Sequence, residues 1–350
     1  MKIALITIWH ENNYGAELQA YATIKAIQEL GHQVELIDIR LSDIEHLSLK
    51  GNIAKTLEVF TPAGAKFNRF WGKYIPLTRR YRSIEELKNC PPEADIYMVG
   101  SDQVWNPDIT KELTEVFFLN FGKPLIRKVS YASSFGTDSW NYRYDSSQIY
   151  ELLHKFNHIT VREESGVNLL KETFKLDADC VVDPTLLFSN YPELTGELKE
   201  SNTLVYYPLY NDPELEKCAL DLSQLIGLNP LNNRNQKFLY QNFIWDCNSI
   251  ETWVKNIAQS KFVLTRSFHG LVFSVLYNRQ FAILAGKNNR STRIQNLITK
   301  LGLEDRYFSS VSEFESRKPW KDVIDYAPVN NRLDILRKES WNVLKDLMNP

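Results

Sequence analysis

The chain has 350 residues, with 41 Lys and Arg against 43 Asp and Glu, a formal charge of −2. That length predicts two domains and a full core without metal or disulfide staples. A hydrophobic fraction of 43% and a charged fraction of 24% exclude global disorder, and the missing basic excess argues against a broad nucleic-acid footprint. Cys90, Cys180, Cys218 and Cys247 form no CxxC pair, and the histidines form no HxxxH or HExxH group. Neither a disulfide framework nor a metal site is expected. No apolar run reaches the length of a membrane span, and the run at 3–9 is too short for a signal-peptide core. Cytoplasmic residence is the expectation.

Residues 3–8 read as a buried strand. After a loop at 9–15, a helix carries Leu18, Tyr21, Ala22, Ile24, Ile27 and Leu30 near helical spacing, closed by Gly31. Residues 34–39 form the next strand, completing a strand–helix–strand unit of parallel α/β type. The loop holds one glycine, Gly15, so the GxGxxG fingerprint is absent and dinucleotide binding is not indicated there. Buried runs at 96–99, 129–132, 159–161 and 180–182 continue the plan, with a helix over 163–174. Asp183-Pro184 breaks it, and a linker rich in Pro, Gly and Glu runs toward Asn202. A second α/β set follows: strand 204–207, helices near 213–226 and 249–260, strand 262–265, helix 271–277, strand 281–284 and a helix near 291–301. A last helix, near 330–347, stands apart. The expected domains are 1–190 and 191–328, with 329–350 a terminal helix. Two such domains imply a cleft, with ligands outside the carboxyl ends of the strands.

The charge distribution is uneven. From Thr252 to Leu303 there is no Asp or Glu, where the chain-wide frequency predicts about six. The stretch holds Lys255, Lys261, Arg266, Arg279, Lys287, Arg290, Arg293, Lys300 and His269. Its strand at 262–265 delivers Arg266-Ser267-Phe268-His269-Gly270 onto a helix start, where free amides and the dipole favour anions. Arg adds a fork that matches phosphate or carboxylate oxygens. The pattern suits a compact, highly charged anion; a solvated basic face is the plainer alternative. His269 is a candidate proton donor or acceptor, or a packed histidine at a helix start.

In the first half, Asp102 directly follows strand 96–99, as a catalytic or sugar-binding carboxylate or as a turn residue. Asn13, Tyr14 and Gln19 lie after the first strand, where amides and an aromatic suit a hydroxyl-rich ligand. Arg162 heads the helix at 163–174, electrostatically misplaced for a cation. It answers an anion, or pairs with Glu163 and Glu164. The segment from Thr61 to Arg82 also lacks acids and interleaves Lys66, Arg69, Lys73, Arg79, Arg80 and Arg82 with Phe67, Phe70, Trp71, Tyr74 and Tyr81. It reads either as an amphipathic helix packed on the first domain, the favoured reading, or as a surface for an anionic membrane or lipid-linked diphosphate.

Six motifs, in order, resemble the polysaccharide pyruvyl transferase family. They are Asn13-Tyr14-Gly15 with Gln19; Gly100-Ser101-Asp102-Gln103-Val104-Trp105-Asn106; Tyr131-Ala132-Ser133-Ser134-Phe135-Gly136; Val161-Arg162-Glu163; Asp183-Pro184-Thr185; and Ser267-Phe268-His269-Gly270. Singly they are weak, but the ordered set, spanning residues 3–302, is specific. The resemblance implies an α/β, GT-B-like fold of two Rossmann-type domains facing a cleft, the last helix crossing back to the first. It implies phosphoenolpyruvate as co-substrate, a sugar acceptor of galactose or mannose type on a lipid-linked oligosaccharide, and a cyclic pyruvate ketal as product. The setting would be bacterial capsule or exopolysaccharide synthesis, at the inner face of the membrane, with no metal or other cofactor.

Phosphoenolpyruvate needs several cations and few carboxylates nearby, as the acid-free stretch offers. On this reading His269 and Asp102 are the catalytic pair, with the division of acid and base open. Arg162, Arg266, Ser267 and Arg293 bind the donor, with Lys287 and Arg290 in reserve. Asn13, Tyr14, Gln19, Gln103 and Trp105 face the acceptor. Two rivals stand. A nucleotide-sugar glycosyltransferase on the same scaffold is disfavoured because residues 252–303 offer no carboxylate for a ribose. A non-catalytic module for anionic glycans would tolerate loss of His269.

Overall fold

A computed structural model describes residues 1–10, 12–44, 60–142, 144–208, 211–240, 243–286 and 292–349. The chain divides into two compact units. One comprises Met1–Ile53, Phe70–Leu187 and Leu336–Pro350; the other comprises Ala54–Arg69 and Phe188–Ile335. Residues 60–69, which lie within the expected 1–190 domain, group with the second unit. Lys66 shows why: its Nζ donates to Asp246 Oδ1 and to the Cys247 carbonyl, both at 2.7 Å.

The first unit is built on a five-stranded parallel sheet ordered β3-β2-β1-β4-β5. Its strands are β1 (Lys2–Ile6), β2 (Gln33–Ile39), β3 (Leu77–Tyr81), β4 (Ile96–Val99) and β5 (Arg127–Ser130). Ile3, Leu5, Met98 and Val99 have no exposed surface, because helices cover both faces of a parallel sheet and its strands become continuous apolar runs. Past β5 the ladder continues: β6 (Thr160–Val161) pairs with β7 (Asp179–Cys180), and bridges at Val129–His158 and Ser133–Val161 tie β6 to the sheet. The chain from Leu336 belongs here too. Arg337 Nε and Trp341 Nε1 donate to the carbonyls of Leu186 (2.8 Å) and Leu187 (3.0 Å), and Ser340 Oγ accepts the Val182 amide at 3.0 Å.

The second unit has its own five-stranded parallel sheet, ordered β14-β13-β12-β8-β9. The strands are β8 (Thr203–Tyr207), β9 (Asn229–Asn232), β12 (Phe262–Thr265), β13 (Gln280–Leu284) and β14 (Tyr307–Phe308). A separate antiparallel pair, β10 (Lys237–Tyr240) and β11 (Phe243–Asp246), carries irregular register. The helix after β12 begins earlier than its apolar spacing implies, at Phe268 rather than residue 271. Ser267 sets that start, its hydroxyl oxygen accepting the Gly270 amide at 3.3 Å. The first turn packs so closely on β12 that a Cβ at Gly270 would lie 2.7 Å from Thr265 Oγ1.

In each sheet the strand order reverses once. In the first sheet β1 leads to one side and β4 to the other; in the second, β8 and β12 divide the same way. Ligand sites of open α/β sheets lie outside the carboxyl ends of strands at such switch points. The loops found there begin at Thr7 and Gly100 in the first unit, and at Pro208 and Arg266 in the second.

Candidate functional site

At the first switch point, Asp102 follows β4 with φ +73°, a conformation that costs a non-glycine residue on the order of 1 kcal/mol and more. Asp102 Oδ1 accepts the Gln103 amide at 2.9 Å and lies 3.6 Å from Arg162 Nη2. Arg162 is the hub of this corner. Its Nη1 lies 2.7 Å from Asp183 Oδ2, and its Nε is 3.6 Å from Glu163 Oε2. Asp183 Oδ2 also accepts from Ser101 Oγ at 3.0 Å, and Glu163 Oε1 accepts from Ser134 Oγ. Burial opposes the charge on Arg162, but Asp183, Glu163 and Asp102 outweigh it and raise its pKa. Of the two sequence readings of Arg162, the pairing with Glu163 is present, and Asp183 and Asp102 join it around the guanidinium.

Several residues expected to face an acceptor are buried and engaged within the first unit. Trp105 is fully buried, stacked at 5.6 Å on Phe118, and its Nε1 donates to the Phe117 carbonyl. Tyr14 is buried in the first turn of the helix Tyr14–Glu29. Gln19 is buried too: its Nε2 donates to the carbonyls of Ile8 (3.0 Å) and Ala16 (2.9 Å), pinning the loop after β1. Asn13 caps that helix through the Gly15 amide (3.0 Å) and is exposed. Gln103 Oε1 accepts from Asn106 Nδ2 at 3.1 Å. Asp102, Asn13 and the Gln103 neighbourhood are the groups at this switch point that a hydroxyl-rich ligand would address.

A residue absent from the sequence reading organises the same loop. Glu17, fully buried, accepts the His10 amide at 3.0 Å and Trp71 Nε1 at 2.7 Å. Its early helical position was the available signal. His10 stacks on Trp71 at 4.1 Å, while Arg40 lies 2.6 Å from its ring nitrogen and 5.1 Å from the Trp9 ring. Burial and then the Arg40 charge push the His10 pKa down to about 3.

At the second switch point, β12 hands the chain to Arg266, then Ser267, then the helix Phe268–Leu276 with His269 in its first turn. His269 is 7% exposed and packs edge-on to Phe268 at 5.3 Å. The Arg293 guanidinium stands 5.8 Å from the Phe268 ring centroid, bringing a cation to this helix start. Ser267 is the cap of that helix. Arg266 is not an open cation. Nε donates to Asp212 Oδ2 and Nη2 to Glu214 Oε2, both at 2.7 Å, and Nη1 donates to the Ala285 carbonyl. Lys287 and Arg290 lie outside the described residues.

The acid-free stretch is therefore no single pocket. Arg279 sits at the other end of the sheet, donating to the carbonyls of Tyr277 (2.6 Å) and Ser260 (3.2 Å). Asp212 and Glu214 bring to Arg266 the carboxylates its own stretch lacks. The argument that no carboxylate stands near this helix start is corrected accordingly.

The basic, aromatic segment has most of its aromatic side packed away and several of its cations paired, as its favoured packed reading expects. Phe67, Phe70, Trp71 and Tyr81 are buried. Lys66, Arg79 and Arg80 pair with Asp246, Glu86 and Asp43. Its second part is the edge strand β3, not a continuous helix. Among the described residues, no helix is long and apolar enough to cross a membrane, and no group of three or more His, Cys, Asp or Glu is arranged to hold a metal ion.

Two parallel α/β sheets with loop-borne polar residues at their switch points define a GT-B-like protein of the Rossmann type. Solved structures agree on the fold. UDP-N-acetylglucosamine 2-epimerase from Rickettsia bellii superposes with a TM-score of 0.54 at 10% identity, over 99% of this chain and 96% of that one. UDP-GlcNAc 2-epimerase from Methanocaldococcus jannaschii gives 0.54 at 10% identity, over 99% of both chains. No curated protein sequence matches significantly. The family model for polysaccharide pyruvyl transferase matches residues 13–288, and the chain belongs to that family.

Proposed function

We propose that the protein transfers the pyruvyl group of phosphoenolpyruvate onto two hydroxyls of one sugar, closing a cyclic ketal. The observation that carries this is the second switch point: a buried histidine in the first turn of a helix, with a guanidinium over the neighbouring ring. A proton donor beside a cation, at the positive end of a helix dipole, suits a substrate that must be protonated while it sheds phosphate.

The chemistry assigns the roles. His269 protonates the methylene carbon, which becomes the methyl group and leaves an oxocarbenium-like centre. One sugar hydroxyl adds to that centre. The C–O bond to phosphate breaks, inorganic phosphate leaves, and the second hydroxyl adds to close the ring. The two hydroxyl protons go to a base and to the departing phosphate. Arg293, Ser267 and Arg266 serve the donor. Asp102, held by the Arg162 cluster, is the base or hydroxyl acceptor, with Asn13 and Gln103 beside it. Phosphoenolpyruvate is a consumed co-substrate. The acceptor is a galactose- or mannose-type sugar, placed on a lipid-linked oligosaccharide of a bacterial capsule or exopolysaccharide and met at the inner membrane face.

A nucleotide-sugar transferase is the second reading, because Glu214 beside Arg266 offers the carboxylate a ribose would use. One assay separates the two. The protein is incubated with phosphoenolpyruvate and a panel of simple and lipid-linked glycosides; released phosphate is measured and the ketal carbon read by NMR. Phosphate release matched by a ketal signal is expected. Turnover of a nucleotide sugar with no ketal from any acceptor overturns the proposal.

A further inference from the structure

The three partners of Arg266 are not alike. Asp212 has a side chain only 2% exposed; its second oxygen accepts the Leu215 amide at 3.1 Å, so the helix it caps fixes it. The Ala285 carbonyl is backbone. Glu214 differs: its side chain is 53% exposed, and it reaches a guanidinium only 5% exposed, at 2.7 Å. A solvated carboxylate is covering one edge of a buried arginine.

We propose that Glu214 is an exchangeable stand-in for the donor, holding Arg266 Nη2 until a phosphate or carboxylate oxygen of the ligand replaces it. This rests on the donor being a small, multiply charged oxyanion, as proposed above. Glu214 is already half in water and readily regains its hydration on leaving, while the incoming oxyanion keeps the buried Nη2 paired, so the exchange leaves no buried charge uncompensated. An oxyanion with more than one charge makes stronger charge-assisted bonds to the same fork. Its position would also lie by the first turn of the helix Pro213–Ile226 that Glu214 occupies, where negative charge is favoured. Asp212 and the Ala285 carbonyl meanwhile keep the guanidinium in place. The exchange selects for highly charged ligands, since a weakly charged one gains too little to displace the resident carboxylate.

Glu216 provides the control. It lies on the same helix, carries the same charge, and accepts from the Tyr206 hydroxyl at 3.1 Å instead of from Arg266. Dissociation constants for inorganic phosphate and for phosphoenolpyruvate are measured by calorimetry at fixed ionic strength on the full chain, with Glu214→Gln and Glu216→Gln. Glu214→Gln is expected to tighten both ligands by about three- to tenfold, and Glu216→Gln to leave them within about twofold. Unchanged or weaker binding in Glu214→Gln, equal tightening in both variants, or no binding to any of the three proteins overturns the exchange. Ketal formation is scored separately on the wild type. Tightening without ketal activity leaves the exchange standing and removes pyruvyl transfer, while ketal activity with unaltered binding removes the exchange alone.

Discussion

Asp183 receives Arg162 on one oxygen and Thr185 on the other. Oδ2 lies 2.7 Å from Nη1, and Oδ1 accepts both the Thr185 amide (3.1 Å) and its hydroxyl (2.5 Å). The carboxylate thus joins the residue after β6 to the turn that ends the first unit's α/β pattern. Removing it takes the nearest of three carboxylates from a buried guanidinium and leaves Glu163 and Asp102 at 3.6 Å, so the cost is about 3 kcal/mol, the low end for a broken buried pair. Asp183→Ala should lower the urea unfolding free energy by that amount. A loss below about 1 kcal/mol would show that the pair does not hold this corner together.

His269→Gln separates chemistry from folding. The lost proton transfer should reduce ketal formation by about 10²–10⁴-fold, with an unfolding free energy within about 1 kcal/mol of wild type. Activity within about threefold of wild type would remove His269 from the acid role. A large loss of stability instead would make it a packing residue.

Gly136 has φ +71°, and a Cβ there would collide with Gln103 Oε1 and crowd Asn106 Nδ2. Gly136→Ala should destabilise by about 1–3 kcal/mol and displace Gln103 from its bond to Asn106. Denaturant unfolding reads the first effect. The second should appear as a raised KM for the sugar with that for phosphoenolpyruvate unchanged.

His10 gives a pH prediction. Its folded pKa is pushed down to about 3 by burial and then by Arg40, against about 6.5 in an unfolded chain. The unfolded state therefore binds the extra proton first as pH falls. The stability that neutral His10 contributes is complete above about pH 6.5 and is lost progressively toward pH 3, at up to about 1.4 kcal/mol per pH unit. His10 has φ +63°, which Asn tolerates, so His10→Asn should flatten the fall in stability between pH 7 and pH 5. An unaltered pH profile in that variant would assign the fall to other groups.

The strand plan was legible because buried parallel strands are apolar runs, and β4, β8 and β12 stand where those runs stand. The edge strand β3 was not, because its exposed Arg79 and Arg80 hide it inside a basic segment; charge on an edge strand is the usual protection against unwanted pairing. The pair β10–β11 was missed for a related reason: two short strands of irregular register leave no clean alternation. The positions of His269 and Asp102 could be read because each directly follows a strand. The partners of the arginines could not. Arg266 meets Asp212 and Glu214 more than 50 residues earlier in the chain, and an acid-free stretch in one dimension says nothing about carboxylates that the fold brings back in three. Trp105, Tyr14 and Gln19 show the converse: polar or aromatic residues beside a switch point serve equally well to fasten its loops.

The fastening of residues beyond Leu336 to the carbonyls of Leu186 and Leu187 has a consequence for synthesis. Leu344 and Leu347 are fully buried and belong to the unit that begins the chain. A multidomain protein ordinarily completes its amino-terminal domain first as it leaves the ribosome. Here the order is inverted: the second unit has all of its residues once Ile335 has emerged, while the first must wait for the last turns of the final helix. Until then its half-built core is exposed, so a chain stalled or truncated before residue 336 should be a client for chaperones rather than a working fragment.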